Sequence, residues 1–251
     1  MGSSYVTTTP GPRHTQGCLF CRRSDGGFRS REHVFPEALG NYEFILERGI
    51  VCDRCNNGQL GTIDGALANF QPIAFRRTLL RIAGKRATLP ESRWGNATVS
   101  HAELGKIVIT ETGERPTIVP TGPNSFRLTL KGARPIRAGT YAKITRSVWK
   151  STLEFIYLDQ GAEEAFASRY DEVRKMVAGS LPAHGVLIIG HNADPTDATV
   201  SLTYTPEPGD DGRDRVFVHA RYFGVEMGTE LLVREVAPIP GAEDVADILV
   251  F

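Results

Sequence analysis

The sequence has no stretch of about 20 consecutive apolar residues, the length that a membrane-spanning helix needs. Its first residues, MGSSYVTTTPGPRHTQG, are polar and lack the apolar segment of a secretory signal peptide. Val6 stands where the N-myristoylation pattern requires Ser or Thr. We therefore expect a cytoplasmic protein with no membrane association, which begins with a flexible leader over residues 1–16.

Cysteine is also scarce, with only four in the chain. They form two pairs with the same two-residue gap, Cys18-x-x-Cys21 and Cys52-x-x-Cys55. Zn²⁺ favours four soft, tetrahedrally placed ligands, and this gap lets one tight turn direct two thiolates at one metal ion. Two disulfides are the alternative, although intracellular proteins seldom contain them. We predict a structural Zn²⁺ site formed by all four cysteines.

The chain has no excess of either charge, since 29 Lys and Arg balance 29 Asp and Glu. The two signs are unevenly distributed, because residues 1–90 contain 12 basic and 7 acidic side chains and the remainder contains 17 and 22. Arginine forks suit phosphate oxygens. Arg22, Arg23 and Arg54 flank the cysteine turns and are candidates for contact with a nucleic-acid backbone, the alternative being an ordinary solvated surface.

The interval between the cysteine pairs holds 30 residues, more than a plain zinc ribbon needs. Residues 32–36 are typical of a short strand closed by Pro36. Residues 42–51 contain a second extended stretch, and the chain runs on through Asn56 into a predicted helix. The expected order is therefore strand, strand, helix.

The residues around this interval carry a family resemblance. They are the four cysteines, Glu32-His33, Pro36, Leu39-Gly40 and Asn56. Together they resemble the HNH (ββα-metal) endonuclease family, in its four-cysteine zinc subgroup, over residues 16–70. The resemblance implies an α+β protein whose N-terminal zinc-stabilised HNH module hydrolyses phosphodiester bonds in nucleic acid, with DNA as the favoured substrate.

The resemblance also implies roles for three residues. His33 takes the position of the general base, and neutral imidazole, with a reference pKa of about 6.5, accepts a proton near neutral pH. Glu32, where the family more often has Asp, and Asn56 take the positions of oxygen ligands for a catalytic Mg²⁺ or Mn²⁺. Asn41 is a candidate for the asparagine that braces the loop. Glu32 and His33 are adjacent on a strand and so point to opposite faces, unless a twist or bulge brings both to the cleft.

A second interpretation stays open. A Glu-His pair is also typical of a surface carboxylate beside a partly buried histidine, and Asn56 suits a helix cap. The chain would then contain a noncatalytic zinc-ribbon module that binds nucleic acid or a partner protein. The zero net charge and the Glu at position 32 favour this reading, whereas the Glu-His and Cys-Asn pairs together favour the enzyme.

The rest of the chain divides into two predicted parts. Residues 17–90 contain the HNH module and the helices that follow it. Residues 91–251 form an accessory domain of mixed antiparallel sheet and helix, whose role the sequence does not indicate. Within it, apolar periodicity predicts one helix with Ile144, Val148, Phe155 and Leu158 on its buried face, and a second helix with Phe166, Tyr170, Val173 and Val177 on its own. One HNH module cuts one strand, so cleavage of a duplex would favour a homodimer.

Overall fold

The N-terminal part is built from two very short strands and a helical segment. The computed structural model describes residues 16–84, 87–94, 97–103, 106–111, 118–123, 125–128, 138–182, 187–191, 194, 196–208 and 214–232. Strands β1 (Glu32–His33) and β2 (Ile45–Leu46) pair antiparallel. A 3₁₀ turn, Glu37–Leu39, follows β1 and ends at Gly40, whose positive φ of 76° suits glycine.

The helical segment begins directly at the second cysteine pair. Helix α1 (Asp53–Cys55) passes through a wide turn, Asn56–Leu60, into α2 (Gly61–Ala68). The order strand, strand, helix agrees with the sequence-based expectation. Helix α3 (Gln71–Leu79) follows, with proline in its first turn, where the missing N–H has no helical partner to lose.

Two small antiparallel sheets come next. Strands β3 (Ser92–Trp94), β4 (Ala97–Glu103) and β5 (Lys106–Glu111) form a meander that lies against α3. Strands β6 (Ile118–Gly122) and β7 (Ser125–Leu128) form a hairpin. These antiparallel strands agree with the mixed antiparallel sheet and helix predicted for residues 91–251.

Helix α4 (Ala138–Gln160) is the central helix of the molecule. Its fully buried apolar residues are Ile144, Val148, Trp149, Leu153 and Ile156. The prediction of Leu158 as a core residue was wrong, because this side chain is 39% exposed. Two charged residues of the same helix, Lys150 and Glu154, are also fully buried. It ends before Gly161, whose φ of 87° no helix can adopt.

The second predicted helix is broken in two. Helix α5 (Ala162–Ala165) is followed by a 3₁₀ turn, Ser168–Tyr170, and then by α6 (Asp171–Val177). The four predicted core residues are all buried, so the periodicity was informative. The helix is interrupted where Arg22 and Arg174 donate hydrogen bonds to three consecutive carbonyls, those of residues 165–167.

The C-terminal part is a four-stranded antiparallel sheet. Its strands are β8 (Leu187–His191), β9 (Val200–Pro208), β10 (Asp214–Tyr222) and β11 (Val225–Leu232), in the spatial order β8-β11-β10-β9. One face of β10 packs into the main core, where Tyr222 contacts Phe35 of the N-terminal part with ring centroids 6.2 Å apart. The fold class is α+β with antiparallel sheets, as predicted.

Some expectations concern residues beyond the described ranges. The proposed leader, apart from Gln16, lies outside them, as does the end of the accessory domain, residues 233–251. Within the described ranges, no helix has the length and apolar character that crossing a bilayer requires.

Candidate active site

The four cysteine sulfurs meet at the start of the N-terminal part. Their Sγ atoms all lie within 4.8 Å of one another, and those of Cys21 and Cys52 are 3.7 Å apart. A tetrahedral ZnS₄ centre with Zn–S bonds of about 2.3 Å has S···S edges of about 3.8 Å. None of the four is in a disulfide. The cysteines are therefore arranged for a zinc site, as the sequence predicts.

Backbone hydrogen bonds shape both cysteine turns. The first turn is closed by the bond from Arg22 N to Cys18 O, at 2.9 Å. Gly17 has a φ of 78°, and a Cβ there would lie 2.4 Å from Arg22 O, so only glycine fits. In the second turn the Asn56 N–H donates to Cys52 O at 3.0 Å, while the Cys52 N–H points at the sulfur of Cys18 at 3.4 Å.

The pKa values of three of the cysteine thiols are shifted in different directions. A hydrogen bond from the Cys55 thiol lowers the pKa of Cys18 to about 5. Donating that bond, together with burial and the nearby negative charge, raises the pKa of Cys55. Burial raises the pKa of Cys52 to about 11. Without a metal, the thiolate forms of Cys52 and Cys55 are thus disfavoured, and a bound cation would stabilise them.

Asp53 ties the second cysteine turn to the chain that leads into β1. Its carboxylate accepts hydrogen bonds from the backbone N–H groups of Arg29, at 3.0 Å, and Ser30, at 2.8 Å. The bond from Ser30 is the main reason that the pKa of Asp53 falls to about 2. This aspartate connects the second cysteine turn to the chain that enters β1, a contact that sequence reasoning missed.

The His33 ring is partly exposed, and a hydrogen bond at one ring nitrogen fixes its orientation. Its Nδ1 lies 3.1 Å from the carbonyl oxygen of Asn41. A carbonyl only accepts, so Nδ1 carries the proton and Nε2 of the neutral ring carries a lone pair. The Nε2 atom is 4.0 Å from a carboxylate oxygen of Glu37, and the side chain is 24% exposed.

The Asn41 side chain clamps the loop between β1 and β2. Its amide donates to the carbonyls of Phe35, at 2.9 Å, and Phe44, at 3.0 Å. Its oxygen accepts from the backbone N–H groups of Glu43 and Phe44. The residue is buried. Since Asn41 O also holds the His33 ring, one residue braces both the loop and the imidazole.

Glu32 turns into the interior, where it meets a lysine from α4. Its Oε1 is 2.6 Å from Nζ of Lys150, and Glu32 is only 4% exposed. Lys150 Nζ also donates to Asp64 Oδ2 at 2.8 Å and lies 3.5 Å from Glu154 Oε2. We call these four side chains, Glu32, Asp64, Lys150 and Glu154, the lysine cluster. Sequence reasoning found only Glu32 among them.

Burial controls the protonation of this cluster. Burial alone would lower the pKa of Lys150, but the surrounding carboxylates, Asp64 foremost, raise it well above its usual value. Burial raises the pKa of Glu154 well above its usual value, and the attraction of Lys150 does not overcome this. The pKa of Glu32 is raised by burial, with partial relief from Lys150. The ammonium is therefore the firmly charged partner.

Asn56 lies where the second cysteine turn meets the approach to β1. Its side-chain amide donates a 2.8 Å hydrogen bond to the carbonyl of Arg31, the peptide that leads into Glu32. The Asn56 Oδ1 accepts no hydrogen bond within the described ranges. The structure thus places the Asn56 side chain beside Arg31, two residues before His33.

Two side-chain oxygens along this backbone accept no hydrogen bond from the described residues. Glu32 Oε2 is buried and has no hydrogen-bond partner among the described residues, and Asn56 supplies a second oxygen. In the described part of the chain, only the cysteines form a group of three or more His, Cys, Asp or Glu ligands close enough to hold an ion. The Glu32 carboxylate turns toward Lys150, away from the partly exposed His33 ring, and Asn56 lies beside the carbonyl of Arg31.

The three arginines predicted to contact nucleic acid occupy different settings. Arg22 donates to Phe166 O and Asp171 and stacks on the Phe166 ring, 4.9 Å from its centroid. Arg23 forms a two-bond pair with Asp25. Arg54 is exposed and lines a shallow cleft beside Cys21 and Cys52.

Arg31, which the sequence reasoning did not single out, is exposed and directly precedes Glu32. It has no side-chain hydrogen bond or ion pair among the described residues. Its position two residues before His33 places both side chains on one face of the extended chain. That spacing was the signal that could have found it.

Comparison with the curated proteins found no match, and none of the solved structures matches either. A family model described as HNH endonuclease matches residues 18–70. The matched segment contains both cysteine turns, β1, β2 and α2. Over this segment, which is well under half the chain, the predicted relationship to the HNH endonuclease family is confirmed.

Proposed function

We propose that this protein is a divalent-metal-dependent endonuclease of the ββα-metal type, which hydrolyses phosphodiester bonds in nucleic acid, with DNA as its substrate. The observation that carries the proposal is the state of the His33 ring. Its Nδ1 proton is committed to Asn41 O, so Nε2 is the basic atom. That atom belongs to a partly exposed side chain within a segment related to HNH endonucleases.

In the proposed reaction, Nε2 of His33 removes a proton from water as the water oxygen bonds to phosphorus. The bond from phosphorus to the 3′ oxygen breaks, and the leaving oxygen takes a proton from solvent. The products then carry 5′-phosphate and 3′-hydroxyl ends, as the family resemblance implies. Glu37, 4.0 Å from Nε2, stabilises the imidazolium while it holds the proton.

Glu32 and Asn56 would hold the catalytic Mg²⁺ or Mn²⁺. When bound, the ion supplies positive charge to the phosphate and the leaving oxygen. We expect Asn56→Ala and Glu32→Gln to raise the Mn²⁺ concentration needed for half-maximal nicking. If only Asn56→Ala does so, Glu32 is not a ligand and its carboxylate serves Lys150 alone.

Arg31 and Arg54 are the arginines that we propose for contact with the nucleic-acid backbone, because both are exposed and both flank the catalytic segment. Loss of one phosphate contact reduces the slope of log affinity against log salt by about 0.9 on duplex DNA. Arg31→Gln should show this reduction, whereas Arg93→Gln, an exposed arginine on β3, should not. Equal slopes in both variants would remove Arg31 from the interface.

The central experiment is plasmid nicking with Mg²⁺ or Mn²⁺ by wild type and His33→Ala. Loss of a general base lowers the rate by about 10²–10⁴-fold. His219→Ala, which removes an exposed histidine from β10, is the matched control and should nick normally. Zinc content measured on all three proteins shows that the metal turns are intact.

Two other outcomes would redirect the proposal. Equal nicking by wild type and His33→Ala would remove the assigned base. No nicking of DNA or RNA with any divalent ion would favour the noncatalytic zinc module, which a gel-shift assay would then test. Nicked circles without linear product, combined with sedimentation at monomer mass, would exclude a homodimer that cuts both strands.

A further inference from the structure

The catalytic strand β1 receives little support from its own sheet. It contains only two residues, paired with only two residues of β2. Toward α4, the strand and the residue that follows it present three acceptors, which are the Glu32 carboxylate and the carbonyls of His33 and Val34. All three are bound by adjacent residues of α4, Lys150 and Ser151.

Lys150 uses its full donor capacity in this contact. An ammonium has three N–H donors. Lys150 Nζ lies 2.6 Å from Glu32 Oε1, 2.7 Å from His33 O and 2.8 Å from Asp64 Oδ2. The side chain is fully buried. A buried ammonium is tolerated only when its partners are in place, so the position of Nζ and the position of β1 depend on each other.

Ser151 adds a second fixed point one residue further along. Its hydroxyl donates a 2.6 Å hydrogen bond to Val34 O. The His33 backbone is thus held on one side by Lys150 and at the next peptide by Ser151. The ring itself is held at Nδ1 by Asn41. The pairing with β2 adds only Ile45 opposite His33 and the bond from Val34 N to Phe44 O, so the position of the base depends strongly on α4.

Helix α4 lies outside residues 18–70, the segment related to HNH endonucleases, and Lys150 is 117 residues from His33 in sequence. We infer that Lys150 and Ser151 are positioning residues of the nuclease site, so that the catalytic unit comprises the zinc-containing segment together with α4. The inference rests on the proposed function, because it assigns these residues to the placement of His33 and Glu32. A displacement of about 1 Å at a reacting group can lower a rate by about 10²-fold.

The first test compares two variants that remove a buried hydroxyl from α4. Ser151→Ala removes the bond to Val34 O, whereas Thr152→Val removes a bond that stays within the helix, from Thr152 to Val148 O. We expect similar small losses of thermal stability in both. Ser151→Ala should lower kcat by about 10-fold without changing KM for DNA, and Thr152→Val should leave kcat unchanged. Equal kcat in the two variants would overturn the assignment of Ser151.

The second test removes the ammonium. In Lys150→Met, the portion of the protein that retains zinc and native circular dichroism should show a loss of kcat of about 10²-fold with KM within about twofold of wild type. Lys143→Met, an exposed lysine on the same helix, should behave as wild type. A normal kcat per zinc-loaded molecule in Lys150→Met would mean that the lysine is structural only. If Lys150→Met does not fold, the Ser151 and Thr152 pair decides the matter.

The two proposals fail in distinguishable ways. Absence of nicking by wild type, or full nicking by His33→Ala, would count against the nuclease itself. Nicking by wild type that depends on His33, but is unaffected in Ser151→Ala and in folded Lys150→Met, would count only against the role of α4.

Discussion

Two clusters lie on either side of the chain that contains β1, the four cysteines and the lysine cluster, and they differ in how far apart their members lie along the chain. The four cysteines fall within 38 consecutive positions, numbered 18–55, and two tight turns bring them together. The lysine cluster joins Glu32 of β1 to Asp64 of α2 and to Lys150 and Glu154 of α4, more than 100 residues from β1. A local cluster leaves a spacing in the sequence, whereas a cluster formed by tertiary packing leaves none.

The clusters also differ in the source of their charge balance. The thiol cluster contains no cation of its own, and the raised pKa values of Cys52 and Cys55 disfavour their thiolates unless a cation is bound. The lysine cluster contains its own cation, and burial raises the pKa of its surplus carboxyl, Glu154, which favours the protonated form. The stability of the cysteine cluster should therefore depend on bound metal, and that of the lysine cluster on substitution of its members and on pH.

The largest expected effect is that of zinc removal. Structural zinc can contribute on the order of 10 kcal/mol of apparent folding free energy. Chelation, or the substitution Cys52→Ser, should therefore unfold residues 18–60 and abolish nicking. Hydrogen exchange resolved by peptide, with zinc measured in the same samples, would check this. Unchanged protection in zinc-free protein would show that the turns stand without the metal.

Lys150→Met should have the next largest effect. Removal of one partner from a buried ion pair destabilises a protein by about 3–5 kcal/mol, because the remaining charges are buried without compensation. Urea denaturation at constant free zinc measures the loss. Lys143→Met, on the exposed side of α4, should change stability by less than about 0.5 kcal/mol. Similar midpoints for the two variants would contradict the burial argument.

Asn41→Ala should have a smaller effect than Lys150→Met. It tests a local set of hydrogen bonds that involves neither a metal nor a charged side chain. Its amide makes four hydrogen bonds to backbone groups of the β1–β2 loop. Loss of these partners should destabilise the protein by about 2–3 kcal/mol. Asn69→Ala, which removes one exposed bond to Gly65 O, is the control and should cost less than about 1 kcal/mol. Urea midpoints of both variants decide whether the brace is as strong as its geometry indicates.

The last effect, and the one with a pH signature, is that of Glu154→Gln. Burial raises the folded-state pKa of Glu154 above its unfolded value, near 4.5. Stability from the protonated group is therefore fully present below about pH 4.5 and is lost as pH rises toward the folded pKa. The glutamine variant has no such loss, so it should gain on wild type between pH 5 and pH 8, by at most about 1.4 kcal/mol per pH unit. Since the other three members of the lysine cluster are present in both proteins, the difference between the urea midpoints of wild type and Glu154→Gln reports Glu154. A difference that stays constant with pH would show that Glu154 is ionised when folded.

The local features of the site could be predicted from sequence. The cysteine spacing, the Glu32-His33 pair and Asn56 lie within one contiguous segment, and the match to HNH endonucleases falls on that segment. The apolar periodicity also found the buried residues of α6. It failed at residues 165–167, because arginine side chains from α6 and from the first cysteine turn bind the carbonyls there.

The non-local features could not be predicted. Lys150 and Glu154 are four residues apart on a helix, which is the spacing of an ordinary exposed ion pair. Nothing in the sequence distinguishes this pair from a solvated one, since its burial depends on how α4 packs against β1 and α2. The inward turn of Glu32 has the same origin. Adjacent strand residues point to opposite faces, and the face opposite His33 is the one that α4 covers.

The two halves of the sulfur cluster are unequally shielded. Cys18 and Cys52 are fully buried, while Cys21 and Cys55 are partly open to solvent. A competing chelator or a thiol oxidant therefore reaches the outer pair first, and it meets the inner pair only after the turns have begun to open. Metal exchange should accordingly proceed stepwise. The bonds to Cys21 and Cys55 should break first, while Cys18 and Cys52 still coordinate the ion.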